Sequence, residues 1–311
     1  MTFINEDEIK EEGEERKLPK LHEVDGKKYP LAFTAKNLRS AREMSVRPSD
    51  IFVCTDGKAG TTWLQHIVHL LLGRTPYEEV NGVTGRKSTL TTLSPMIEFF
   101  GADYCARLPA PRVLKSHLPF NDIPKHPEAK YILGVRNIKD TLVSAYFHCK
   151  NFKFYEWSHG ELENFVPLYL EGQLGGMSYF EHLRSWLAAY EARELPILLV
   201  KYEDMVRAPA KAIHEIGRFL GGEAASSVED ETTLQKILHA SSLYEMRKRQ
   251  DRWIPEGMTF SETFIRRGEV GNWRDYLSEK QSRLIDEKFA SETAGTMAAT
   301  WWSGEMEWLS S

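Results

Sequence analysis

The chain has little cysteine, no long apolar run and no excess of positive charge. Its three cysteines, Cys54, Cys105 and Cys149, show no spacing that predicts a disulfide framework or a zinc site. Residues 1–20 are acidic and lack the apolar segment of a signal peptide, and no later run approaches the length of a membrane span. We therefore expect a cytoplasmic protein with no membrane segment and no bound metal.

The charge balance argues against a general nucleic-acid binder. There are 40 Lys and Arg residues against 45 Asp and Glu residues, a formal net charge of −5. An anionic ligand must then be bound by a local basic pocket and not by the field of the whole protein. Acidic residues crowd residues 1–18, which we expect to form a flexible tail. Residues 19–311 show no repeat or low-complexity linker, so we assign them to one domain.

The order of apolar segments predicts an α/β fold in a single domain, with a central parallel sheet flanked by helices. Short apolar runs predict strands, and a helical period in the segments around them predicts helices. The predicted strands are residues 51–54, 112–115, 131–135 and 197–201, and the predicted helices are residues 61–72, 139–148, 179–192 and 209–220. In such a sheet, ligands bind at the carboxyl ends of the strands.

A glycine-containing loop with a lysine joins the first predicted strand to the first predicted helix. Residues 56–63 read Asp-Gly-Lys-Ala-Gly-Thr-Thr-Trp. Backbone N–H groups of such a loop and of the first helical turn bind phosphate, Lys58 adds a charge, and Thr61 and Thr62 add hydroxyls. Trp63 offers an aromatic face to a nucleobase. The loop is not a Walker A motif, in which the lysine follows the second glycine.

Further basic side chains are expected at the same edge of the sheet. Lys115 and His117 follow the second strand, where the histidine can accept a proton and the lysine can neutralise charge on an oxygen. Arg136 follows the third strand, and Arg266 and Arg267 suit a phosphate group. Taken singly, each of these residues could equally be an ordinary surface or salt-bridged side chain.

Together these segments resemble the cytosolic sulfotransferase family, over residues 33–277. Five motifs occur in the family's order. The family's Tyr-Pro-Lys-Ser-Gly-Thr-Thr-Trp corresponds to residues 56–63, and its Lys-Thr-His-Leu-Pro to Lys-Ser-His-Leu-Pro at 115–119. Its Arg-Asn-x-Lys-Asp with a helical serine matches residues 136–140 and 144, and its Tyr-Glu-Asp matches 202–204. Its Arg-Lys-Gly-x-x-Gly-Asp-Trp-Lys corresponds to Arg-Arg-Gly-Glu-Val-Gly-Asn-Trp-Arg at 266–274.

The resemblance implies 3′-phosphoadenosine 5′-phosphosulfate (PAPS) as sulfuryl donor, the bisphosphate PAP as product, and no metal. The donor-binding residues that it implies are Lys58, Ala59, Gly60, Thr61, Thr62, Trp63, Arg136, Ser144, Tyr202, Ser241, Leu243, Arg266, Arg267 and Gly268. Among these, Trp63 and Tyr202 would flank the adenine. The catalytic residues that it implies are His117 as general base, with Lys58, Lys115 and Ser144.

The chain departs from the family pattern in several places. Asp56 and Gly57 replace Tyr-Pro, and an acidic side chain beside a phosphate loop weakens anion binding unless it points away. Ala59 lacks the hydroxyl of the family's serine, and Leu243 replaces a phenylalanine that packs on the adenine. The family's dimer segment is altered at residues 274–283, so the choice between monomer and dimer is left undecided.

The expected acceptor is a phenol, an aromatic amine, a steroid or another small alcohol. Aromatic side chains that suit such a ligand are Phe33, Phe99, Phe100, Tyr146, Phe147, Phe152 and Phe154. Residues 75–108 are polar and long, and we interpret them as a lid. Two other functions fit the same motifs, a PAPS-dependent dehydratase of an alcohol and a catalytically silent nucleotide-binding relative. A P-loop kinase is disfavoured by the position of Lys58.

Overall fold

The structure of the chain, a computed structural model, describes residues 18–74, 88–174, 178–254 and 263–308. The acidic segment interpreted as a tail lies outside the described residues except for residue 18. The strands are β1 (Leu21–Val24), β2 (Lys27–Pro30), β3 (Ile51–Thr55), β4 (Val113–Ser116), β5 (Lys130–Val135) and β6 (Ile197–Lys201). Within the described part of the chain, no helix has the length and apolar character needed to cross a membrane.

Helices surround these strands. The α-helices are α1 (Ala35–Arg42), α2 (Thr61–Leu71), α3 (Leu90–Leu93), α4 (Ile97–Ala106), α5 (Ile138–Asn151), α6 (Leu162–Leu170), α7 (Tyr179–Glu191), α8 (Tyr202–Arg207), α9 (Pro209–Leu220), α10 (Gly222–Glu229), α11 (Glu231–Ala240), α12 (Leu243–Arg247), α13 (Glu279–Thr293) and α14 (Ser303–Met306). Short 3₁₀ segments occur at Lys153–Tyr155, Gln250–Arg252, Asn272–Asp275 and Met297–Thr300.

Strands β3 to β6 form a parallel sheet in the order β4–β3–β5–β6. All four predicted strands are confirmed, each to within one residue at either end. The four predicted helices correspond to α2, α5, α7 and α9, of which α5 extends three residues beyond its predicted end. The predicted α/β fold is therefore confirmed, and the carboxyl ends of the four strands lie along one edge.

Both faces of the sheet are covered, as the unbroken apolar character of its strands requires. Alternate residues of β3 belong to different cores, with Phe52 and Cys54 on one side and Ile51 and Val53 on the other. The first core includes buried residues of α5, α6, α7 and α13, and the second includes residues of α2, α9, α10 and α11. The helices that carry the motif residues are thus held against the sheet from opposite sides.

A hairpin precedes the sheet and was not predicted. Strands β1 and β2 pair antiparallel across Asp25 and Gly26, which both have positive φ angles, of 52° and 75°. An Asp-Gly pair between two short apolar segments is a strong sequence signal for a two-residue hairpin turn. The hairpin ends at Pro30, which with Phe33 reaches the cavity described below.

The described part of the segment interpreted as a lid is folded into the body of the protein. Residues 75–87 lie outside the described residues, whereas α3 and α4 occupy most of residues 88–106. Ile97, Glu98 and Cys105 of α4 are buried, and Met96 forms a bridge with Lys115 beside β4. Residues between 90 and 100 therefore form part of the cavity wall, and the lid interpretation stays a prediction.

Gly134 in β5 allows helix α2 to lie directly on the sheet. A Cβ atom at Gly134 would lie 2.6 Å from Leu64 Cδ1 and 2.8 Å from Thr55 Cγ2. Leu64 is fully buried, and it belongs to the helix that begins at the predicted phosphate loop. The missing side chain of one glycine thus sets how closely that loop approaches the sheet.

We expect Gly134→Ala to lower the free energy of unfolding by about 1–3 kcal/mol, because the added methyl group would overpack this contact. The measurement is denaturant unfolding, in which the midpoint should fall while the m-value stays the same. Gly304→Ala is the matched control, because a Cβ atom at Gly304 would meet nothing within 4 Å. Equal midpoints for the two variants would contradict the argument.

Candidate active site

One cavity, of about 310 Å³, lies at the carboxyl ends of the parallel strands. Nearly all the predicted site residues share its wall. They are Lys58, Gly60, Thr61, Thr62, Trp63, Lys115, His117, Arg136, Ser144, Tyr202, Ser241, Leu243, Arg266, Arg267 and Gly268. Ala59 is the exception, because its side chain is buried away from the cavity.

The loop between β3 and α2 has the conformation of a preformed anion site. Gly60 is the N-cap of α2 with a φ of 88°, and Lys58 has a φ of 75°, which is uncommon outside glycine. The hydroxyls of Thr55 and Thr61 lie 2.7 Å apart and join the end of the strand to the start of the helix. The free N–H groups of the first turn of α2 therefore lie at a cavity lined by Gly60, Thr61 and Thr62.

Asp56, the acidic departure in this loop, is directed into the core and does not line the cavity. Its side chain is buried, and the hydroxyl of Tyr169 on α6 donates to Oδ2 over 3.1 Å. Burial raises the pKa of Asp56 to about 7, although the hydrogen bonds from Tyr169 and the Gly57 backbone partly oppose this rise. Because the carboxyl group points away from the anion site, we do not expect Asp56 to weaken the binding of an anion there.

Basic side chains outnumber acidic ones on the cavity wall. Among the described residues on the wall, five are lysine or arginine and a single one, Glu269, is acidic. Burial lowers the pKa of Lys58 to about 7, helped by repulsion from Lys115, Arg266 and Arg136. Burial also lowers the pKa of Lys115 to about 8, against the attraction of Glu98.

Two buried donors beside these charges have no hydrogen-bond partner in the described structure, Nε of Arg136 and Nε1 of Trp63. Buried polar atoms in folded proteins are nearly always paired. Both residues line the cavity that holds the five cations. The site is therefore suited to an anion that also presents hydrogen-bond acceptors, and a phosphorylated nucleotide has both properties.

His117 is held in the tautomer of a general base. Its Nδ1 lies 2.7 Å from the carbonyl oxygen of Thr55, and a carbonyl can only accept, so Nδ1 carries the proton. The lone pair is then on Nε2. Burial, with repulsion from Lys115, lowers the pKa of His117 well below its ordinary value, so the ring is neutral near pH 7. The backbone N–H of His117 donates to the buried carboxylate of Glu98, which fixes the residue at the strand end.

A buried network holds the start of α5 between two other motifs. Asn137 is the N-cap, and its side-chain oxygen accepts from the N–H of Asp140 over 2.9 Å. The backbone N–H and the side-chain amide of Asn137 both donate to Glu203 Oε1, each over 2.9 Å. Trp302 donates to the other oxygen of Glu203 over 2.8 Å. The loop after β5 is thus tied to α8 and to the C-terminal part of the chain.

Asp140 attaches the arginine-containing loop to the same helix. Its two carboxylate oxygens accept from the backbone N–H groups of Gly271, over 2.7 Å, and Trp273, over 3.1 Å. Arg136 completes the connection by donating to the carbonyl of Lys58 over 3.4 Å and to that of Glu269 over 3.1 Å. The phosphate loop and the loop with Arg266 and Arg267 are therefore joined through α5.

The two arginines of that loop differ in environment. Arg266 is half-buried, with its guanidinium 4.2 Å from the ring centre of Phe147, and burial lowers its pKa. Arg267 is more exposed and forms an ion pair with Asp275. Ser144 also lines the cavity, whereas the hydroxyl of Ser241 donates to the carbonyl of Ile237 within its own helix and has only lone pairs to offer a ligand.

The residues predicted to flank an adenine lie together, although they form no parallel slot. The rings of Trp63 and Tyr202 meet edge to face, with centres 5.8 Å apart and planes at 73°. The guanidinium of Arg136 lies 4.2 Å from the centre of the Tyr202 ring. Leu243 packs against Gly268, where an added Cβ would lie 2.9 Å from Leu243 Cδ1. The substituted leucine therefore contacts the loop that carries the arginines.

The other part of the cavity is aromatic. Of the seven aromatic candidates, five line it, namely Phe33, Phe99, Phe100, Phe152 and Phe154. The prediction was wrong for Tyr146 and Phe147, because Tyr146 packs in the core against Trp157 and Phe147 packs between Tyr276 and Arg266. Wall residues that the sequence reasoning missed include Pro30, Met96, Tyr155, Trp253 and Phe264.

His148 is a further wall residue that was not singled out from the sequence. Its Nδ1 lies 3.4 Å from Nζ of Lys58, whose ammonium also lies 5.0 Å from the ring centre of Phe264. His148 follows Ser144 by four residues on α5, and residues with that spacing share one face of a helix. The helical spacing from Ser144 was thus the signal that could have identified it.

Comparisons with known proteins agree with this geometry. A family model described as a sulfotransferase domain matches residues 48–297. Sulfotransferase 1B1 of the dog, Canis lupus familiaris, is 31% identical in an alignment of 280 residues that covers 86% of this chain and 92% of that protein. A crystal structure of mouse sulfotransferase SULT7A1 complexed with PAP is similar with a TM-score of 0.70 and 25% identity, covering 88% of this chain and 94% of that one.

A crystal structure of retinol dehydratase in complex with retinol and PAP is also similar. The TM-score is 0.64 at 21% identity, and the match covers 83% of this chain and 84% of that one. At this identity the likeness concerns the fold alone. It leaves the reaction of this chain to be argued from its own residues.

The raised pKa of Asp56 makes its contribution to stability depend on pH. The carboxyl titrates near its ordinary value of 3.8 in the unfolded chain and near 7 in the folded protein. Its contribution is therefore fully present below pH 3.8 and is lost as the pH rises through about 7. We expect Asp56→Asn to change the free energy of unfolding little at about pH 4 and to raise it by up to about 4 kcal/mol at about pH 8.

Denaturant unfolding at both pH values checks this expectation. Asp204→Asn is the matched control, because Asp204 is exposed and pairs only with Arg207 on the surface. The expectation would be contradicted if Asp56→Asn raised the free energy of unfolding equally at both pH values, or if Asp204→Asn raised it in the same way.

Proposed function

The chain belongs to the sulfotransferase family, and on that premise we propose that it transfers a sulfuryl group from PAPS to the hydroxyl of a small, neutral, largely aromatic acceptor. The observation that carries the proposal is the position of His117. This histidine, in the tautomer of a base, shares one cavity with five cations at one side and a group of aromatic rings at the other. A base, an anion site and an apolar pocket are the parts that such a transfer requires.

We assign the donor to the basic side of the cavity. The loop from Lys58 to Thr62 would bind the 5′-phosphosulfate through its N–H groups and hydroxyls. Arg136, Ser144 and Arg266 would bind the 3′-phosphate, with Arg267 and Gly268 at the rim. Trp63, Tyr202 and Leu243 would contact the adenine. PAPS, when bound, supplies the sulfuryl group.

His117 would accept the proton of the acceptor hydroxyl at Nε2 as that oxygen attacks. Its neutral state near pH 7 favours this role, because a protonated ring has no lone pair to offer. The hydrogen bond from Nδ1 to the Thr55 carbonyl orients the ring and stabilises the imidazolium once the proton has been taken up. The residue therefore needs no carboxylate partner to keep its tautomer.

Lys58 and Lys115 would stabilise the negative charge that develops on oxygen during the transfer. Both side chains are half-buried at the cavity, where a charge acts through less solvent than at the surface. A bound anion would raise the pKa of Lys58 from about 7 and keep its ammonium charged. This pairing of buried cations with an anionic donor supports a reaction driven by positioning and electrostatics.

The wall also supports an acceptor without positive charge. Among the described residues that line the cavity, the one carboxylate is that of Glu269, which belongs to the loop of the arginines. The aromatic side offers no acidic partner to a protonated amine, and the nearby lysines would repel one. Phenols and apolar alcohols are therefore favoured over amines that are protonated near neutral pH.

The test is release of PAP from PAPS, with acceptor products identified by mass, over a panel of phenols, aromatic amines and steroids. We expect sulfonated phenols from the unaltered protein. His117→Ala should lower kcat by a factor of 10² or more and still bind PAP, because the histidine serves proton transfer and not donor affinity. His159→Ala, at an exposed position, is the matched control.

Each alternative result has a defined meaning. PAP release with a dehydrated product would identify a dehydratase. PAP binding without release on any acceptor would indicate the catalytically silent relative. Turnover by His117→Ala close to that of the control would refute the assignment of the base.

The lowered pKa of Lys58 predicts that donor binding is linked to proton uptake. Above about pH 7 most Lys58 side chains are neutral in the free protein, and an anion favours the charged form. We expect PAP binding to take up about one proton at pH 8 and much less at pH 6. Calorimetric titrations in buffers of different ionisation enthalpy measure this number. Lys58→Met should abolish the uptake, and an uptake that survives in this variant would locate the proton elsewhere.

A further inference from the structure

The cavity contains a second imidazole besides that of His117. His148 lies on α5, lines the cavity and has its Nδ1 3.4 Å from Nζ of Lys58. Its ring contacts Phe152, with centres 4.5 Å apart, and lies 5.9 Å from Tyr155. His148 therefore borders the aromatic side of the cavity next to a lysine of the reaction centre.

The contact with Lys58 determines which nitrogen of His148 carries the proton. When Lys58 is charged, as an anion bound in the cavity would keep it, its ammonium group can only donate, so Nδ1 of His148 accepts from it. A neutral imidazole that accepts at Nδ1 carries its proton on Nε2. Burial, with repulsion from Lys58 and Lys115, lowers the pKa of His148 well below its ordinary value and keeps the ring neutral. His148 and His117 are thus opposite tautomers, one presenting an N–H and the other a lone pair.

The structure shows no hydrogen bond to Nε2 of His148 among the described residues, and this atom is not among the fully buried unpaired atoms, so it can be reached from the cavity. A ligand oxygen can therefore replace water at this donor beside the ring of Phe152. Because Nδ1 contacts Lys58, the opposite nitrogen of the same ring is only one imidazole farther from the reaction centre. A ligand atom that binds there would occupy the same cavity as His117 and Lys58.

We propose that His148 is a specificity-determining residue that donates from Nε2 to a second oxygen of the acceptor, close to the hydroxyl that His117 deprotonates. The acceptors it selects are phenols with a neighbouring ether, hydroxyl or carbonyl oxygen. This inference rests on the proposed function, because it assumes that the aromatic side of the cavity binds the acceptor. The oxygen would satisfy the free N–H while the apolar rings contact the rest of the molecule.

The test compares two phenols of similar size, 2-methoxyphenol and 2-ethylphenol, which differ in one neighbouring oxygen. The affinity of each phenol is measured for the PAP-loaded protein, in which no transfer takes place. The kcat/KM of each phenol is measured with PAPS. The preference is the ratio of the value for 2-methoxyphenol to that for 2-ethylphenol. We expect this ratio to be roughly tenfold higher in the unaltered protein than in His148→Phe, because the variant lacks one neutral hydrogen bond. Comparing the two ratios between proteins cancels the difference in reactivity of the phenols.

Three variants separate the two nitrogens of the ring. His148→Phe retains the aromatic contact with Phe152 and removes both hydrogen-bonding groups. His148→Gln places an amide near Nε2 and should retain most of the preference. His148→Asn places an amide near Nδ1, where it can still contact Lys58, and should lose the preference. Loss in the Asn and Phe variants with retention in the Gln variant supports a direct contact with the acceptor.

A preference that survives in His148→Phe would overturn the proposal. Equal binding of the two phenols by the unaltered protein would also overturn it, and so would a failure to bind either phenol. PAP release without such a preference would overturn it while leaving the proposed function intact. Binding with the preference but no release with any acceptor would support it and contradict the proposed function. Nitrogen chemical shifts of His148 give an independent readout, and a proton on Nδ1 instead of Nε2 would also overturn the proposal.

Discussion

The hydrogen bonds among Asn137, Asp140 and Glu203 are the constraint on which the whole site depends. Asn137 begins α5 and is bound by Glu203, while Asp140 one turn later binds the backbone of residues 271 and 273. All three side chains are buried, and removing one would leave its partners unpaired in a medium of low polarity. Segments far apart in sequence are therefore held at one edge of the sheet before any ligand binds.

This rigidity makes it possible to place like charges together. The chain as a whole is acidic, yet Lys58, Lys115 and three arginines line a single cavity. Burial and mutual repulsion lower the pKa of Lys58, which is the electrostatic cost of holding these groups close in the absence of an anion. A flexible loop would relieve that repulsion by moving apart. Here Arg136 binds the carbonyls of Lys58 and Glu269 and prevents such movement.

Sequence reasoning succeeded where position in a parallel sheet decides the outcome. Side chains that follow β3, β4, β5 and β6 must meet at one edge, so Lys58, His117, Arg136 and Tyr202 could be brought together from their spacing alone. It failed where the result depends on which face of a helix points inward. Tyr146 and His148 are two residues apart on α5, and that separation places one in the core and the other on the cavity wall.

The tautomers of the two histidines show why the chemistry of such a site cannot be read from residue types. His117 and His148 are the same amino acid, both half-buried on the wall of the cavity that Lys58 also lines, and both are neutral. They differ because the partner of Nδ1 is a carbonyl for His117 and an ammonium group for His148. A carbonyl accepts a hydrogen bond from the ring, whereas a charged Lys58 donates one to it, so Nε2 is a base in the first case and a donor in the second. The role of each ring thus follows from an atom that belongs to another residue.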